Sequence, residues 1–145
     1  PLFVSAILVA AGFVHDAAAQ GAPPQAAWSV TQIALADLDS GNLQRLYREG
    51  TSFTFKSFYT EQSFVAEIQR IRIQLGGRPP YHRTLLSSTW VPSLQTPSGL
   101  IPGNFAFFRY RASFANAVVF EDFYLEFVPQ VNAWRIVGFW IIPGY

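Results

Sequence analysis

Asn104–Ala115 (NFAFFRYRASFA), Val118–Val128 (VVFEDFYLEFV) and Trp134–Ile142 (WRIVGFWII) are three consecutive runs dominated by aromatic and β-branched residues. Only Asn116-Ala117 and the stretch Pro129 to Ala133 separate them. Runs of this composition read as strands, and connectors this short join antiparallel neighbours. Asn tolerates positive φ, so Asn116-Ala117 is the expected corner of a tight hairpin. That corner sets Ala115 against Val118, Phe108 against Leu125 and Tyr110 against Phe123. It also sets Arg111 against Asp122 and Arg109 against Tyr124, with Glu126 diagonal to Arg109. One sheet face becomes apolar and the other charged. Glu121 is the exception, a carboxylate on the apolar face opposite Ala112.

Upstream the period changes. Trp28, Thr31, Leu35 and Leu38 recur at helical spacing, with Ala27 and Ala34 beside them and Gln32 and Asp37 facing outward, predicting a helix over Ala26–Leu38. Leu43, Leu46 and Tyr47 give a second short helical face ending at Gly50. Thr51–Tyr59 (TSFTFKSFY) reads as a short strand or as an extended linker whose Phe residues plug the core. Thr60 is an N-cap, and Phe64, Ile68, Ile71 and Leu75 mark a third helix stopped by Gly76-Gly77. Tyr81–Val91 is strand-like, and the Pro and Gly residues of Pro92–Gly103 predict a loop. Helices first and a meander last define an α+β fold, N-terminal helices packed on a C-terminal antiparallel β-meander sheet.

Composition bounds what such a domain can do. Half of the 145 residues are hydrophobic, including 14 Phe, 6 Tyr and 4 Trp, enough for one core. A net charge of +1 provides no field to attract nucleic acid. The chain has no cysteine, which excludes disulfides, thiolate nucleophiles and lipoprotein acylation at its own residues. Its two histidines, His15 and His82, are far apart in sequence and build no metal cluster. The glycines match neither a dinucleotide fingerprint nor a P-loop, and Ser87, Ser88 and Ser113 lack a nucleophile-elbow context, so no cofactor is expected.

Leu2–Val14 (LFVSAILVAAGFV) is too short to span a bilayer but has the length of a signal-peptide apolar core, followed by Ala17-Ala18-Ala19-Gln20. Small residues at Ala17 and Ala19 suit a signal peptidase. With no Met and a start at Pro1, the chain is expected to begin inside a longer reading frame that holds the basic segment. The expected organisation is a signal peptide over 1–19, a linker over 20–25 and one domain over 26–145, a periplasmic or secreted protein without a transmembrane span once mature.

Ala27-Trp28, Asp39-x-Gly41, Leu75-Gly76, Leu-Ile-Pro-Gly-Asn at 100–104, Tyr110-Arg111-x-Ser113-Phe114-Ala115-Asn116, Glu121 and Trp134–Phe139 (WRIVGF) together resemble the bacterial domain of unknown function 4019 (DUF4019). The resemblance covers about residues 26 to 142. It departs from the family pattern at Phe64, near a position that is commonly Trp, and in the longer Trp90–Gly99 loop. It implies a small exported protein with no established activity. The element order also resembles a nuclear-transport-factor-like cone, a curved sheet around a helix with a cavity at one end.

Candidate chemistry centres on Arg109, Arg111, Glu121, Asp122, Glu126 and Arg135. Arginines in a concave sheet can hold a carboxylate or phosphate bidentately, whereas cross-strand pairing makes the same residues an ordinary solvent face. Tyr110 and the aromatics Trp28, Phe64, Phe123, Trp134 and Trp140 line either a pocket or the core. Phe53, Phe55, Phe58 and Tyr59 are freer to bind. Glu121 must be paired, protonated or exposed at the strand start; it either anchors Arg135 or a backbone group, or, with a raised pKa, serves as a general base. Two functions follow: a non-catalytic module binding a small apolar or anionic ligand or an envelope protein, or a cofactor-free isomerase- or hydrolase-like enzyme using Glu121. A closed wet pocket beside Glu121 favours the enzyme; a dry one or an exposed aromatic patch favours binding. A free sheet face and free edges also permit a dimer.

Export has a direct readout. N-terminal sequencing of the exported product is expected to begin at Gln20, and an intact Pro1 stretch on a cytoplasmic product would refute it.

Overall fold

A computed structural model describes residues 21–96 and 99–144; the expected signal segment lies outside them. The described chain forms α1 (Gln25–Ser40), α2 (Leu43–Arg45), a π-turn (Leu46–Gly50), α3 (Phe53–Phe58) and α4 (Glu61–Leu75). Then come β1 (His82–Thr96), β2 (Gly99–Ser113), β3 (Val118–Val128), a 3-10 turn (Pro129–Val131) and β4 (Ala133–Pro143). The strands form one antiparallel sheet in the order β1-β2-β3-β4. Helices pack on one face, where Leu35, Leu38, Phe64, Ile68 and Ile71 share a core with Phe108, Phe123, Leu125, Phe139 and Ile141. This is the expected α+β arrangement. No helix among the described residues is long and apolar enough to cross a membrane.

The helices follow from their ends and faces. The Thr60 hydroxyl accepts from the Ser63 amide at 3.1 Å, and Phe64, Ile68, Ile71 and Leu75 all lie buried on one stripe. Gly76 ends α4 in the left-handed region, φ 113°, with its amide on Ile73 O and the Gly77 amide on Arg72 O. That pair of bonds is a Schellman closure.

Five expectations need correction. Trp28 is 39% exposed, while Asp37, expected outward, is 2% exposed because Arg45 grips its carboxylate through two nitrogens. Thr51–Tyr59 is neither strand nor linker. Thr51 makes one parallel bridge to Ile136, and the Ser52 hydroxyl then caps α3, whose Phe55 plugs the core. A side-chain cap and a six-residue turn outweigh the strand propensity of the aromatics.

Within the expected loop Pro92–Gly103, residues 93–96 pair with residues 99–102 and continue the β1–β2 ladder; residues 97 and 98 lie outside the described residues. Pro92 sits where a strand tolerates it, in the register shift between Val91 and Ser93, which requires no ladder amide.

The β2–β3 register also differs from expectation by two residues. Ser113 faces Val118, Arg109 faces Asp122, Tyr110 faces Glu121 and Phe108 faces Phe123. The turn spans four residues, closed by Phe114 N–H on Ala117 O at 2.8 Å. Asn116 is drawn away from the corner because its amide binds Leu75 O and its side chain binds Gln74 O, capping α4. A slip of two preserves side-chain parity, so every residue keeps its face while changing its partner.

Asn116 and Gly76 meet tightly. A Cβ at Gly76 would lie 2.7 Å from Ala115 Cβ, whereas one at Gly77, φ 71°, meets nothing within 4 Å. Gly76→Ala is therefore expected to cost about 2 kcal/mol or more, Gly77→Ala only about 1 kcal/mol of backbone strain. Urea denaturation of both variants checks the difference.

Candidate functional site

Glu121 leaves β3 toward the helices and is 2% exposed. Its partner is Arg83 of β1: Arg83 Nε donates to Glu121 Oε2 at 2.6 Å and Nη2 to Oε1 at 3.0 Å. The same guanidinium donates from Nη1 and Nη2 to Asp39, near the end of α1, at 2.7 and 2.9 Å. Arg72 Nη2 donates to the Asp39 carbonyl at 3.2 Å. Burial raises the proton affinity of Glu121 above the usual carboxylate range, opposed by the Arg83 charge and assisted by the Asp39 charge. Burial alone would lower the pKa of Arg83, but its hydrogen bonds to Asp39 and Glu121 hold it well above the usual guanidinium value. A void of about 20 Å³ adjoins Glu121, bounded also by Leu38, Ile68, Leu75 and Ile141. It has room for about one water.

The other candidate side chains do not converge there. Tyr110 shares the Glu121 face, its hydroxyl bound to Thr31 at 2.8 Å and accepting from Gln32 at 2.9 Å. Burial raises the pKa of that phenol. Arg109 and Arg111 lie on the opposite sheet face. Arg109 makes a two-point pair with Asp122 at 2.8 and 2.6 Å, its guanidinium 5.8 Å from the Phe107 ring centre and 5.3 Å from that of Phe120. Arg111 stands exposed, opposite Phe120 in the register. The sequence pairing of Arg111 with Asp122 is thus replaced by Arg109 with Asp122.

This outer face is not simply charged, as expected from the sequence. Phe107 packs on Tyr124 at 4.8 Å between ring centres, and Tyr124 on Trp140 at 4.7 Å. Burial, then the Asp122 charge, pushes the Tyr124 phenol up to about 12. The Trp140 ring covers Gly138, where a Cβ would come within 2.4 Å of it.

Arg135 goes elsewhere again. It borders a groove of about 250 Å³ between α1, the π-turn and β4, together with Glu49 and Gly50 of the turn. Sequence reasoning missed this groove, and it missed Arg83 as the partner of Glu121. The signal for Arg83 lay only in composition: it is the one Lys or Arg of the strand-like run Tyr81–Val91.

The family described as "Protein of unknown function (DUF4019)" matches residues 30–139. No curated protein and no solved structure matches the chain.

The network makes a pH-dependent prediction. Arg83→Met leaves Glu121 buried without its cation and is expected to cost about 3–5 kcal/mol at pH 7. Without the cation the Glu121 pKa rises further, so the neutral acid forms as pH falls through that value and the deficit relative to the native chain shrinks. Arg83→Met/Glu121→Met is expected to be more stable than Arg83→Met alone. Chemical denaturation between pH 5 and 8 checks both; a deficit that grows on acidification refutes the assignment.

Proposed function

The chain belongs to the DUF4019 family, and on that premise we propose that it is an exported, non-catalytic binding module of the bacterial envelope. The carrying observation is Glu121. Both oxygens of its carboxylate accept hydrogen bonds from Arg83, beside a void of only about 20 Å³. A general base needs a reachable lone pair and space for the reacting atom. Glu121 instead ties strands together. Export draws its support from the apolar run Leu2–Val14 and Ala17-Ala18-Ala19-Gln20. The order of helices and then meander supports a nuclear-transport-factor-like reading of the architecture, by analogy. A second reading, an isomerase- or hydrolase-like enzyme working through Glu121, is favoured by the raised proton affinity of that carboxyl.

The two readings separate on Glu121→Gln. With 8-anilinonaphthalene-1-sulfonate as an apolar anionic probe, the native chain below its melting transition is expected to bind dye. Glu121→Gln should melt several degrees lower and bind dye with unchanged affinity while folded. A variant with the native melting temperature that has lost probe binding would refute the non-catalytic structural role of Glu121. Absence of probe binding by the native chain would refute the binding module.

A further inference from the structure

The groove beside the π-turn is built around two charges that do not neutralise each other. On the β4 side, Arg135 donates Nη1 to its neighbour's carbonyl, Trp134 O, at 3.0 Å. Its remaining N–H groups meet no acceptor among the described residues. On the helical side, Glu49 makes no hydrogen bond or ion pair among the described residues and contributes only a longer-range attraction to Arg45. Asp37, the other carboxylate of the groove, is already held by Arg45. Val30, Ile33, Ala34 and Leu46 supply an apolar wall. Gly50 also lines the groove and packs closely on Leu46, since a Cβ there would come 3.0 Å from Leu46 Cδ1.

Resting on the binding-module reading, we propose that this groove holds an aliphatic α-amino acid, its carboxylate on Arg135, its ammonium on Glu49 and its side chain against Val30, Ile33 and Leu46. The charge pattern selects the class. A simple anion satisfies Arg135 but leaves Glu49 facing a like charge, and a simple cation does the converse. A zwitterion satisfies both and adds no net charge. A guanidinium accepts a carboxylate through two parallel bonds. A volume near 250 Å³ is below the common range of drug-sized pockets and suits a molecule as small as an amino acid.

Calorimetric titration of the full chain with L-leucine, L-leucinamide, N-acetyl-L-leucine and glycine tests the assignment. L-leucine is expected to bind with a Kd of about 1 mM or tighter, and each derivative about tenfold or more weakly. Arg135→Gln should abolish discrimination against L-leucinamide, and Glu49→Gln discrimination against N-acetyl-L-leucine, both variants keeping the native melting temperature. Equal affinity across the series, or discrimination unchanged in both variants, overturns the proposal. Failure of L-leucine to bind while anilinonaphthalene sulfonate still does overturns the amino-acid assignment alone. Failure of both probes overturns the binding-module reading with it.

Discussion

A single guanidinium, that of Arg83, holds together elements that the chain order keeps apart. β1 and β3 are not neighbours, since β2 runs between them. Arg83 faces Ala112 across the first ladder, and Glu121 faces Tyr110 across the second. The Arg83 side chain therefore crosses β2 diagonally, from beside Ala112 to beside Tyr110. By engaging Asp39 as well, Arg83 fastens the end of α1 to the sheet. A buried carboxylate without this cation costs several kcal/mol, so the β1–β2 and β2–β3 registers are locked to one another and to the position of α1.

That constraint explains how far the sequence could be read. The strands of the meander, the α4 face of Phe64, Ile68, Ile71 and Leu75, and the Thr60 cap are legible because each depends on periodicity or chemistry within a few residues. Glu121 could be recognised as a carboxylate on the wrong face because parity survives a two-residue slip. Its partner could not be named, because partner identity depends on register, and register was decided by a contact distant in sequence, Asn116 on Leu75 and Gln74. Thr51–Tyr59 failed for a related reason. Its aromatics carry strand propensity, but one Ser52 hydroxyl bond and the burial of Phe55 decide for a helical turn.

The outer sheet face uses another device. No helix among the described residues packs on it, yet Phe105 and Phe107 are buried. Phe107, Tyr124 and Trp140 pack ring against ring across three strands, and Arg109 lies over Phe107 and Phe120 while paired to Asp122. The arginine covers the rings with its stem and plane and keeps its charge compensated, so an aromatic-rich surface need not present one continuous apolar patch. Arg109 and Asp122, which the sequence offered as ligand-binding candidates, are occupied in this task.

With Glu121 committed to the network and Arg109 to the outer face, polar groups still free to meet a ligand are found where regular structure breaks. The π-turn is such a place. α2 widens into it at Leu46, and Thr51 emerges extended to bridge Ile136 at the open edge of β4. The Ser52 amide takes the Ile136 carbonyl at 2.9 Å, so the turn is anchored to the sheet at its end. Widening moves Glu49 and Gly50 off the path of an ordinary helix without loosening them, and π-turns of this kind often accompany functional sites. The energetic logic is consistent: a groove whose walls belong to α1, an anchored turn and a sheet edge is preorganised, so a ligand entering it pays little to order the protein.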